Sequence, residues 1–159
     1  MTAPPTAWPP TRHTPPLSEH FPSSWDDWTS VIDRIWLVAF GYMLESWQHN
    51  LLRSILETYP DGHPRAGQLR FRQVVISLGR QNGKTEIAAA LGLWALLRER
   101  MAYVVGIASS REQATLVYKR TLQAITANPA LAKRFDRMTE TRGIASKTGS
   151  VYELKAAKN

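Results

Sequence analysis

The passage from Val74 to Thr85 narrows the folding possibilities most. A β-branched apolar run, Val74-Val75-Ile76, leads through Ser77-Leu78-Gly79-Arg80-Gln81-Asn82-Gly83 to Lys84-Thr85, and an Ala- and Leu-rich stretch, 86–97, follows. A short β-branched apolar run is what a strand buried on both faces of a parallel sheet requires. Ala and Leu favour helix because they lose little side-chain freedom there. A tight loop from strand into helix gathers consecutive backbone N–H groups at the positive helix end, a ready site for phosphate. Gly83 lets the backbone approach closely, Lys84 supplies a point charge, and the Thr85 hydroxyl suits a magnesium ion. Asn82-Gly83 would also suit the two-residue turn of a β-hairpin, but helix formers stand where the return strand would have to be. The strict spacing G-x-x-x-x-G-K-[ST] is not met: its first position falls on Leu78, and the nearest glycine is Gly79.

The rest of the 159 residues is organised around that loop. Seven of the ten prolines lie in residues 1–22, so 1–23 reads as an extended or disordered arm, and 24–159 as one ordered region. Ser24 suits a helix N-cap ahead of Asp26 and Asp27. Trp25, Trp28, Val31, Ile32, Ile35 and Trp36 then recur at helical spacing, a stripe for packing. A second helix is predicted over 46–58, ended by Tyr59-Pro60-Asp61-Gly62. A buried strand is predicted over 70–78, a helix over 83–100, and another buried strand over 102–108. A helix is predicted over 110–128, opened by a capping box of Ser110 and Gln113. A short helical turn at 130–137 and a weakly alternating strand at 149–154 complete the reading. This order implies a βαβ crossover and a parallel, three-layer α/β sandwich, with ligands beyond the carboxyl ends of the strands at 78–85 and 109–113.

Charge and composition remove whole classes of chemistry. The formal charge is +7, and it is uneven: 1–60 carry 3 basic and 6 acidic side chains, 61–159 carry 17 and 7. The second part is where a polyanion would be met. No cysteine is present, which excludes disulfides, thiolate metal sites and cysteine nucleophiles. The apolar runs 35–44 and 87–97 are shorter than the roughly 18 residues of a membrane span, so no membrane partner is expected, and the Pro-rich start is not a signal peptide. His13, His20, His49 and His63 lack the spacing of a metal site or a Ser-His-Asp set.

Gly79-Arg80-Gln81-Asn82-Gly83-Lys84-Thr85 resembles the deviant Walker A motif of the large terminase subunits of tailed bacteriophages, the motors that package DNA. Leu44-Glu45-Ser46-Trp47-Gln48 is similar to that family's upstream segment ending in Trp-Gln, and 106–114, ending in Gln113-Ala114, to its segment after the second strand. The three matches lie in the family's order and span about 44–118. The resemblance implies an incomplete P-loop NTPase-like fold that binds ATP and Mg2+. Gln48 would read the adenine edge, a role suited to an amide that both donates and accepts. Gly79, Arg80, Gln81, Asn82, Gly83, Lys84 and Thr85 would hold the nucleotide, Thr85 the metal. Arg80 and Lys84 would act on the phosphates as catalytic groups, and Ser110 and Arg111 would face nucleic acid. It also implies double-stranded DNA, a portal and a small terminase subunit as partners, homo-oligomerisation at full length, and action in the host cytoplasm outside the virion. After Asn128 the acids are Asp136, Glu140 and Glu153, none behind a run of four apolar residues. The chain is therefore expected to stop before the Walker B strand and the nuclease domain, and to bind ATP while hydrolysing it poorly. The other readings are a helicase-like nucleic-acid-dependent ATPase and a non-enzymatic basic nucleic-acid-binding module.

Overall fold

The computed structural model describes residues 10, 12–79, 81–98, 101–108 and 110–156, excepting the side chains of Arg111 and Ala156. It divides into two units, Met1–Val31 with Leu44–Asn82 and Ile32–Met43 with Gly83–Asn159.

In the first unit a 3-10 turn, Asp26–Trp28, leads into α1, Thr29–Phe40, whose later residues belong to the second unit. The expected Ser24 cap is not the one formed. The Ser23 hydroxyl accepts from Trp25 N–H at 3.2 Å, and Asp26 Oδ2 accepts from Ser23 N–H at 3.1 Å, so the turn is closed one residue earlier. Trp25 is fully buried as predicted and donates its indole N–H to His49 Nδ1 at 3.1 Å on α2, Ser46–Ile55. The expected helix over 46–58 ends early, because Glu57 and Thr58 leave it to form bridges with Ser23 and Leu69. Glu57 is 2% exposed, and its charge is met by Arg70 Nη1 at 2.7 Å and by the Leu17 N–H at 2.8 Å. Arg70 also donates to the Pro15 carbonyl at 2.9 Å, so the end of the Pro-rich arm is tied to this pair.

The second unit holds α3, Lys84–Arg98; β1, Tyr103–Ala108; α4, Arg111–Thr126; a short α5, Pro129–Ala132; and β2, Phe135–Thr139, β3, Gly143–Ser146 and β4, Val151–Ala156. Apolar residues of α3 and α4 bury one face of the sheet: Leu93, Leu96, Tyr118 and Ile125 are at most 1% exposed, beside Ile144 and Tyr152. Gly92 lets α3 and Tyr152 approach closely there, since a Cβ would come within 3.2 Å of the Tyr152 ring and the ring would have to shift to admit it. The sheet order is β1-β4-β3-β2. β1 and β4 are parallel as expected, while β3 pairs antiparallel with β4 and with β2. The protein is therefore α/β with a mixed sheet, consistent with an incomplete P-loop NTPase-like fold; the all-parallel sheet is corrected. Pro129 stands at the start of α5, where its missing N–H costs nothing, α5 ends at Ala132, and Phe135 onward becomes strand where a helical turn was expected.

The predicted strand over 70–78 is not formed. Residues 73–79 carry no regular structure, and Val74, Val75 and Ile76 are 43%, 88% and 37% exposed. A strand exists only if its N–H and C=O groups find a ladder. β1, at the edge of the sheet, pairs only with β4 among the described residues.

Candidate functional site

The loop is clearest on its helix side. Gly83 takes φ +66°, a left-handed conformation that glycine adopts without the cost a Cβ imposes. Its carbonyl accepts from Ile87 N–H at 3.2 Å, the first bond of the α3 ladder, and Lys84 is the first helical residue. The amides of Lys84, Thr85 and Glu86 therefore precede the ladder, at the positive end of a 15-residue helix. This donor set, with the exposed Lys84 side chain and the half-buried Thr85, fits the phosphates of a nucleotide and a metal-ligating hydroxyl.

Glu86 stands in this first turn, and its charge would oppose a phosphate there. It is neutralised within the unit. Arg120 Nε of α4 donates to Oε1 at 2.7 Å, and the indole N–H of fully buried Trp36 donates to Oε2 at 2.7 Å. Arg120 lies 3.6 Å over the Phe40 ring and also donates to the Tyr42 hydroxyl. Burial, with Glu86 nearby, raises the Tyr42 pKa above its usual value. Sequence reading saw Glu86 only as a helix former. Its sole signal was an acid directly behind Lys84-Thr85, and its partners are 50 and 34 residues away.

In the first unit, Gly79 packs so close to Asn82 that a Cβ would come within 3.0 Å of the Asn82 amide nitrogen. Gln81 has φ +62°, a strained conformation for a residue with a side chain. Arg80 lies outside the described residues. Gln48 is 5% exposed, and its Oε1 accepts from Glu45 N–H at 2.8 Å, half of a capping box that opens α2. A carbonyl oxygen has two lone pairs, so this bond leaves one acceptor site and the amide donors. The Ser110 hydroxyl caps α4 by accepting from Gln113 N–H at 3.3 Å, one of the two bonds of the predicted capping box. The Arg111 side chain lies outside the described residues. Among them no group of His, Cys, Asp and Glu is arranged to hold a metal ion, and no helix is long and apolar enough to cross a membrane.

Residues 48–156 match the protein family described as terminase large subunit, ATPase domain. Comparison with curated proteins returns no match.

Proposed function

We propose that this chain, which belongs to the terminase large-subunit ATPase-domain family, binds ATP at the loop running into α3 as part of a bacteriophage DNA-packaging motor. Family membership gives the coarse function, a phage DNA-packaging ATPase. The observation that supports a nucleotide role for this loop is Gly83 at φ +66° delivering Lys84 and Thr85 to the amide-rich start of α3. The amides and Lys84 would hold the phosphates, Thr85 the Mg2+, and Arg80 would meet charge on the terminal phosphate. Gln48 would select adenine with its remaining acceptor site and its donors. The Glu86–Arg120 pair keeps a carboxylate of the first turn from repelling the phosphates. Bound Mg2+ supplies charge neutralisation between phosphates. In the motor, binding and hydrolysis would drive double-stranded DNA into the procapsid, with portal and small subunit as partners, in the host cytoplasm.

A thermal-shift comparison tests this. ATP with Mg2+ is expected to raise the melting temperature in proportion to the logarithm of its concentration above Kd, GTP to raise it less, and Lys84→Ala to abolish the ATP shift. Equal stabilisation by both nucleotides would remove Gln48 as the adenine reader, and an undiminished shift in Lys84→Ala would remove the loop as the phosphate site.

A further inference from the structure

Glu86 occupies the third position of α3, where an acid ordinarily turns back to the open backbone N–H groups at the start of its own helix. Those are the groups proposed to take the phosphates, so a carboxylate in its usual place would be their nearest competitor. The side chain is drawn the other way. Its Oε2 accepts from the indole N–H of Trp36 on α1, and its Oε1 from Arg120 Nε on α4, both at 2.7 Å.

The two holding groups are themselves fixed. Trp36 is fully buried, with its ring edge-on to Phe40 at 5.5 Å between centroids. Arg120 lies 3.6 Å over the same Phe40 ring and donates from its far end to the Tyr42 hydroxyl. A lone ion pair on an open surface is loosely held, but a guanidinium set between a ring, a hydroxyl and a carboxylate has little freedom to reorient. All five residues belong to the second unit.

We infer, on the reading of the α3 loop as the ATP site, that Arg120 and Trp36 are positioning residues for phosphate binding: they hold the Glu86 carboxylate between α1 and α4, off the α3 amides, and a Glu86 released from them caps its own helix and excludes the phosphates. Neither residue touches the nucleotide. Each acts through Glu86, so each loss is reversed by removing the carboxylate.

Isothermal titration calorimetry of the whole chain with ATP and Mg2+, run well below the melting temperature of every variant, tests this. Arg120→Gln is expected to weaken binding about tenfold, the effect of one freed charge beside the phosphates. Trp36→Phe keeps a ring in the core and alters no charge, and is expected to weaken binding about threefold, because it frees only one of the two oxygens. Glu86→Gln alone is expected to tighten binding about threefold, and adding it to either variant to return the affinity to within about threefold of the parent. A purely structural role predicts the reverse, since the double variants lose more hydrogen bonds than the single ones and would bind no better. Parent affinity in Arg120→Gln or Trp36→Phe, or weak binding that persists when Glu86→Gln is added, overturns the inference; should one of the two single variants not fold, the other decides. A parent chain that does not bind ATP, or a Lys84→Ala variant that binds as the parent does, removes the ATP reading and this inference with it, whereas a parent that binds through Lys84 and is indifferent to Arg120 removes the inference alone.

Discussion

Glu86 shows how a single side chain supports the loop without touching a ligand. One carboxylate satisfies both the indole of a fully buried tryptophan and the guanidinium of Arg120, whose own flat face rests on Phe40. Removing it strands two donors together, so Glu86→Ala is expected to destabilise the fold by about 2 kcal/mol, and Glu86→Gln, which keeps one acceptor, by about half as much. The pair is partly exposed, 24% for the arginine and 18% for the glutamate, which places the cost below that of a fully buried ion pair. Chemical denaturation of the three proteins measures it. A Glu86→Ala change within about 0.5 kcal/mol of the parent would mean that solvent takes over both bonds at no cost. Gln48 carries a related double duty: the acceptor proposed to read adenine already caps a helix, so Gln48→Ala is a stability variant as well as a specificity variant.

At the scale of elements, the run 74–76 separates pattern from structure. Its composition is that of a buried strand, yet Val75 is 88% exposed. Val75→Lys is therefore expected to change stability by less than about 0.5 kcal/mol in this chain. A loss of about 2 kcal/mol or more in a denaturation curve would place Val75 inside a sheet after all. Other elements were legible because their signals are local. The Ser110 cap, the helical spacing through 111–126 and the alternation at 151–154 depend on neighbours within a few residues, and each formed close to where it was read. The hairpin of β2 and β3 was missed because its strands are four and five residues long, with Phe135-Asp136-Arg137-Met138-Thr139 mixing burial classes rather than alternating cleanly. In the candidate site, Gly83, Lys84 and Thr85 were legible as a motif at a helix start. The Trp36–Glu86–Arg120 set was not, because it joins residues from elements that only the fold brings together.

For the molecule as a whole, the net charge falls in one of the two units. The first unit carries six basic and six acidic side chains, the second fourteen and seven, so the entire +7 resides in the unit that holds α3, α4 and the sheet. A packaging ATPase must engage a polyanion, and phosphate contacts release condensed counterions, which makes affinity fall steeply with salt. Duplex DNA is expected to bind this chain at least about tenfold more weakly at ~200 mM salt than at ~50 mM, a dependence that two or more neutralised phosphates suffice to produce. The contacts should come from the second unit. Lys133→Gln and Lys147→Gln, at exposed positions there, are expected to flatten the plot of log affinity against log salt by about one contact each if they lie in the footprint, and the paired variant by more than Arg65→Gln, an exposed change in the neutral unit. Fluorescence anisotropy with a labelled duplex reads the parent and the four variants. Salt-independent binding, or a slope altered by Arg65→Gln and untouched by the paired lysine variant, would show that the charge of the second unit does not serve DNA.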